Sequence, residues 1–89
     1  MELNVGEIVL SKAGRDAGRY FLVYNVVDEN YVLLVDGNLR KIERPKKKKI
    51  KHLVTTNFCK ENIAQKIVQG ERINNAEIRK AVAGYVETT

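Results

Sequence analysis

The chain has 89 residues, a net charge of +5, 44% hydrophobic and 30% charged residues, a size and balance that suit one folded domain and leave little room for a second independent core. Its single cysteine, Cys59, and single histidine, His52, exclude an internal disulfide and a zinc-stapled mini-domain. No stretch approaches the roughly 20 apolar residues that span a bilayer, and the opening MELNVGEIVL lacks the basic start of a secretory signal, so the expected setting is the cytoplasm, away from membranes.

Taken in chain order, VGEIVLSK (Val5 to Lys12) mixes β-branched and polar residues and stops at the turn-rich AGRDAGR, which predicts a first strand. Gly14 and Gly18 bracket Arg15-Asp16-Ala17, so the loop can take positive φ at both ends and present Arg15 and Arg19 outward. YFLVYNVV (Tyr20 to Val27), the polar turn Asp28-Glu29-Asn30 and YVLLVD (Tyr31 to Asp36) predict a β-hairpin. Both strands are almost continuously apolar, so alternation does not say which face of either points inward, as expected when a sheet curls into a small barrel. Asp36-Gly37-Asn38 is a second turn, followed by a predicted fourth strand from Leu39 to Pro45 and, beyond the lysine run Lys46 to Lys49, a fifth around Ile50 to Thr55. Five short strands in about fifty residues suggest a small barrel, so the fold class is mainly β.

The composition then changes. In KENIAQKIVQ (Lys60 to Gln69), the pairs Ile63/Ile67 and Ala64/Val68 share one side of a helix, and Gly70 stands at the C′ position. Asn74 followed by Glu77 reads as an N-cap with a capping box, and Ile78, Ala81, Val82 and Tyr85 form the apolar stripe of a second helix. A short C-terminal helical pair therefore follows the barrel, packing on itself, on the barrel or on a neighbouring molecule.

Charge is concentrated in one place. Residues 40–52, RKIERPKKKKIKH, hold eight Lys/Arg and one acid, a net +7, while residues 1–39 carry −3 and residues 53–89 carry +1. Cations gathered in this way are what a polyanion requires, because counterion release supplies the affinity and the charges must lie together to displace the counterions.

Residues 6–37, GEIVLSKAGRDAGRYFLVYNVVDENYVLLVDG, resemble the KOW motif, an apolar strand, a basic loop with a fixed glycine (here Gly18) and a second strand. The order of strand, G-x-[DE]-A-G loop, apolar run with polar turn, and VDG-like turn is similar to the KOW domain of the archaeal and eukaryotic large-subunit ribosomal protein fourteen group, over roughly residues 3–55. The resemblance implies an SH3-like barrel whose basic loops touch RNA, with Lys12, Arg15 and Arg19 at the matching loop positions, and a ribosome-associated or ribosomal-protein-like role. The implied partners are ribosomal RNA and large-subunit proteins. The corresponding division is 1–56 for the barrel and 57–89 for a helical extension.

The expected RNA-binding residues are Lys12, Arg15, Arg19, Arg40, Lys41, Arg44, Lys46, Lys47, Lys48, Lys49 and Lys51. Arginines suit forked phosphate contacts and lysines delocalised attraction. Against this, Arg15 can pair with its neighbour Asp16, and lysines can serve only to stop an edge strand from pairing. Tyr20 and Tyr31, each at a strand end beside a turn, are the candidates for base stacking, with Asn38 and His52 as hydrogen-bonding groups. No cofactor, metal set, paired carboxylates or P-loop is visible, and Cys59 lacks a base or resolving cysteine, so an enzyme is not expected. Two rivals stand beside RNA binding. One is an SH3-like protein-interaction adaptor, for which the absence of tryptophan is unfavourable. The other is a DNA-reading helix-turn-helix using Arg79 and Lys80, for which the +1 charge of residues 53–89 is a poor footprint.

Overall fold

The computed structural model describes residues 2–88. Five strands, β1 (Glu7–Ser11), β2 (Tyr20–Val26), β3 (Tyr31–Val35), β4 (Lys46–Lys49) and β5 (Leu53–Cys59), form one antiparallel sheet in the order β4-β3-β2-β1-β5. The two edge strands, β4 and β5, are joined by a single 3₁₀ turn, Ile50–His52. Three residues bridge opposite edges only because the sheet curls until those edges approach. Two backbone bonds hold the curl: Lys12 N–H donates to the His52 carbonyl at 3.0 Å, and Ile50 N–H to the Asn30 carbonyl at 2.8 Å. No ladder pairs β4 with β5 among the described residues, so the SH3-like barrel remains open along this seam.

Side-chain parity, open in the sequence, is resolved by two cores. Val9, Phe21, Val23, Val32, Leu34 and Leu53 fill the inside of the curl. Ile8, Leu22 and Val35, on the other face, are equally buried, against Ile63, Ile73, Ile78, Ala81 and Val82 of the C-terminal segment. The strands are continuously apolar because both faces of the sheet are covered, and not because of the curl itself. α1 (Glu61–Val68) and α2 (Asn75–Thr88) provide the cover, so the helical pair packs on the barrel.

Two glycines permit the close approach. Gly6 has φ +90°, and a Cβ there would stand 2.5 Å from Ala64 Cβ on α1. Gly37 has φ +76°, and a Cβ there would overlap the Asn75 carbonyl oxygen and lie 2.7 Å from the Arg79 amide nitrogen on α2. The helix ends follow the expected chemistry. Gly70 N–H donates to the Ile67 carbonyl and Glu71 N–H to that of Lys66, a Schellman closure. Asn74 Oδ1 accepts from Glu77 N–H at 2.8 Å while Glu77 Oε2 accepts from Asn74 N–H at 3.3 Å, a reciprocal capping box. Neither helix is long and apolar enough to cross a membrane.

The later strands differ from expectation. Residues 39–45 form a loop and not a strand, because their backbone is satisfied elsewhere: Arg40 N–H donates to Asp36 Oδ1 and Ile42 N–H to Asn75 Oδ1 of α2. The lysine run is itself β4, with Pro45 immediately before it and not at the end of a strand. β5 begins at Leu53 and continues past Thr55 to Cys59, through a bulge in which Asn57 takes φ +60°.

Candidate nucleic-acid interface

The β1–β2 loop is closed by its own backbone. Gly14 and Gly18 have φ of +76° and +86°, and Gly18 N–H and Ser11 N–H close the loop onto the carbonyls of Ser11 and Arg19 at 2.8 and 2.9 Å. Lys12, Arg15 and Arg19 all project into solvent. Asp16 is buried beneath them and pairs with Arg40, whose Nη2 donates to Asp16 Oδ2 at 3.1 Å, with side-chain exposures of 8% and 31%. The local Arg15–Asp16 pair is therefore not formed. Arg40, in contrast, is turned inward as a brace between two loops, and its Nε is buried without a hydrogen-bond partner.

The pleat of β4 divides the lysine run. Lys46 and Lys48 stand opposite Leu34 and Val32, on the barrel's inner face, whereas Lys47 and Lys49 stand opposite Leu33 and Tyr31, on the outer face. Lys48 is only 9% exposed, and its ammonium donates to the Ala13 carbonyl at 2.7 Å. That bond crosses the seam and ties β4 to the loop after β1 where no ladder does. Lys48 thus differs from the free cation that the sequence suggested. Lys46 is half-buried, while Lys47 and Lys49 are exposed. Lys47 Nζ lies 4.7 Å from the centroid of the Tyr31 ring.

Curling brings distant cations together. A cleft of about 630 Å³ along the seam is lined by Lys12 from the end of β1, Lys49 and Lys51 from the β4–β5 connection, Ile50 and Leu53 below them, and Glu29, Asn30 and Tyr31 from the β2–β3 turn. Beside it, His52 has its pKa held below the ordinary 6.5, first by burial and then by Lys51, Lys48, Lys49 and Lys12. The imidazole is therefore mostly neutral at pH 7. Lys41 and Arg44 are exposed on the preceding loop. There Glu43 accepts from Asn75 Nδ2 at 2.9 Å, a bond that lowers the Glu43 pKa ahead of smaller contributions from its own backbone and from Lys41.

Other candidates separate. Tyr20 is packed beneath α2, its ring 5.6 Å from that of Tyr85, and is not free to stack on a base. Asn38 borders a second cleft of about 310 Å³, which is also lined by Arg19 and by Arg79 of α2. Arg79 Nη1 donates to the Gly37 carbonyl at 3.4 Å. With its first turn docked on the Gly37 and Ile42 segments and its apolar stripe on the sheet, α2 presents no free N-terminal face to a DNA groove. Burial raises the Cys59 thiol pKa, with Glu61 and Glu7 adding to it, the opposite of an activated thiolate. Sequence reasoning missed that Glu29 and Asn30 share a cleft with Lys12, and Arg19 one with Arg79; each cleft joins residues brought near only by the curl or by α2.

No protein-family model matches the chain. It is 32% identical over 87 residues to the large ribosomal subunit protein eL14 of Pyrobaculum calidifontis, an alignment covering 96% of this chain and 78% of that protein. The chain belongs to the eL14 family. The eL14 protein of Pyrobaculum arsenaticum is equally similar, 32% over 87 residues. That of Desulfurococcus amylolyticus is 33% identical over 54 residues, 61% of this chain and 56% of that protein. The Pyrobaculum alignments run well beyond residue 55, so the helical segment is part of what this chain shares with eL14 proteins.

Proposed function

We propose that this chain is a non-catalytic, ribosomal-protein-like component of the large subunit that binds ribosomal RNA and neighbouring large-subunit proteins in the cytoplasm. Its relatives are named large ribosomal subunit proteins. The observation that carries the RNA reading is the state of the cations. Only two ion pairs occur among the described residues, Arg40–Asp16 and Lys66–Glu77. Lys12, Arg15, Arg19, Lys41, Arg44, Lys46, Lys47, Lys49 and Lys51 keep uncompensated charge, and this concentration in and around the seam suits a phosphate backbone.

Roles divide within the set. Lys12, Lys49 and Lys51 hold phosphate at the seam, Arg15 and Arg19 offer guanidinium forks from the glycine-hinged loop, and Lys46, Lys47, Lys41 and Arg44 supply longer-range attraction. Arg40 and Lys48 act through the fold, by fixing the loops that carry the others. In this reading, residues 1–56 present the RNA-facing barrel, and residues 57–89 form an extension that completes its core.

The test is the salt dependence of binding to large-subunit ribosomal RNA. Replacing Lys47 and Lys49 together by Glu is expected to flatten the slope of log K against log salt by about 1–2, since each neutralised phosphate contributes roughly 0.7–0.9. An unchanged slope in the folded double variant would refute phosphate contact by β4.

A further inference from the structure

A duplex backbone asks a protein only for exposed cations, whereas the seam offers a recess that also contains an aromatic ring, an amide and a carboxylate. Its volume of about 630 Å³ falls within the roughly 300–1,000 Å³ typical of sites for small organic molecules. Resting on the RNA-binding reading above, we propose that this cleft takes one unpaired nucleotide of the bound RNA, with the base against Tyr31 and the phosphate on Lys12, Lys49 and Lys51.

Tyr31 is prepared for this role. Its backbone N–H donates to Asp28 Oδ1 at 2.9 Å, which fixes the turn beside it. The Lys47 ammonium covers one face of its ring, 4.7 Å from the centroid, and the ring also lines the cleft. Asn30 is committed through its main chain, its N–H to Asp28 Oδ1 and its carbonyl to Ile50 N–H, both at 2.8 Å. Its exposed side chain remains available for a base edge.

Glu29 is the one acid lining the cleft, and it forms no ion pair among the described residues. A carboxylate in the same cleft as three lysines opposes a phosphate at its own position, but it accepts N–H donors. Guanine presents two adjacent donors, N1–H and N2–H, on its Watson–Crick edge, and they match the two carboxylate oxygens. Adenine presents an acceptor at N1 and repels one of them. The cleft therefore favours guanine.

The test uses three RNA hairpins of equal length: fully paired, with a single bulged G, and with a single bulged A. Anisotropy titrations are expected to show the G bulge bound about tenfold more tightly than the paired hairpin, the scale of one stacked base. Tyr31→Ala is expected to weaken the G-bulge hairpin far more than the paired hairpin, Tyr31→Phe to retain the preference, and Glu29→Gln to lower the ratio of G to A. Equal binding of bulged and paired hairpins, or equal weakening of all three by Tyr31→Ala in a folded protein, overturns the nucleotide site and leaves RNA binding intact. Failure to bind any hairpin overturns both readings.

Discussion

Replacing Gly37 by Ala probes how the helical segment is joined to the barrel. The residue has φ +76°, a left-handed conformation that costs an L-residue about 1–2 kcal/mol. The new methyl would also overlap the Asn75 carbonyl oxygen and stand 2.7 Å from the Arg79 amide, both backbone atoms of α2 that cannot swing aside. The first turn of α2 must withdraw, giving up the hydrogen bonds from Ile42 N–H to Asn75 and from Arg79 to the Gly37 carbonyl. At roughly 1 kcal/mol each, these bring the expected loss to about 3–4 kcal/mol, a large part of the roughly 5–15 kcal/mol that holds a small domain folded. Gly18→Ala is the control: its φ is +86°, but nothing lies within 4 Å of the added carbon, so only the conformational cost of about 1–2 kcal/mol applies. Urea unfolding followed by far-UV circular dichroism measures both. Equal losses at the two positions would refute the close packing of α2 on the Gly37 turn.

Lys48→Met keeps the aliphatic stem but removes the ammonium bonded to Ala13. It is expected to cost about 1–3 kcal/mol in urea unfolding and to weaken RNA binding less than Lys49→Met; the reverse order would contradict the bracing role. His52, whose pKa is held below 6.5 by burial and by the surrounding lysines, is expected by NMR titration to move upward when RNA phosphate offsets those charges. Protonation then favours the complex, so affinity should rise as pH falls through the window between the free and bound pKa values. In the free protein the unfolded chain binds the proton more readily, so the same group makes folding stability increase with pH just below 6.5; a pKa at or above 6.5 in the free protein would contradict this. Deleting residues 60–89 uncovers Ile8, Leu22 and Val35 and is expected to abolish cooperative thermal unfolding. A fragment that unfolds cooperatively would show that the barrel is self-sufficient.

The parts of the fold that were legible in the sequence are those written in local chemistry. Gly14, Gly18 and Gly37 marked turns that require positive φ, and Asn74 with Glu77 and Gly70 marked helix ends. The bounds of β4 were not legible, because Lys46–Lys49 has no apolar pattern to mark them; the strand is held by backbone pairing to β3 and by one buried lysine. Residues 39–45 imitated a strand because Leu39 and Ile42 are apolar, yet Ile42 is oriented by Asn75, 33 positions further along. Strand parity was hidden for a related reason, since the cover on the second face comes from helices distant in sequence. The basic loop and the lysine run were legible as charge. Their separation into exposed cations and the inward braces Arg40 and Lys48 depends on pleat and curl, which composition does not carry.

In the proposed role the protein resides on the large ribosomal subunit through phosphate contacts made by the seam and the basic loop. The most direct test is sucrose-gradient sedimentation of a lysate at moderate and high salt, following the parent and a Lys12→Glu/Lys49→Glu/Lys51→Glu variant by mass spectrometry. The parent is predicted to travel with the large subunit and survive the salt wash, while the folded variant shifts to the top of the gradient. A parent that stays at the top at moderate salt would refute residence on the subunit, and a folded variant that sediments like the parent would refute anchoring by the seam lysines.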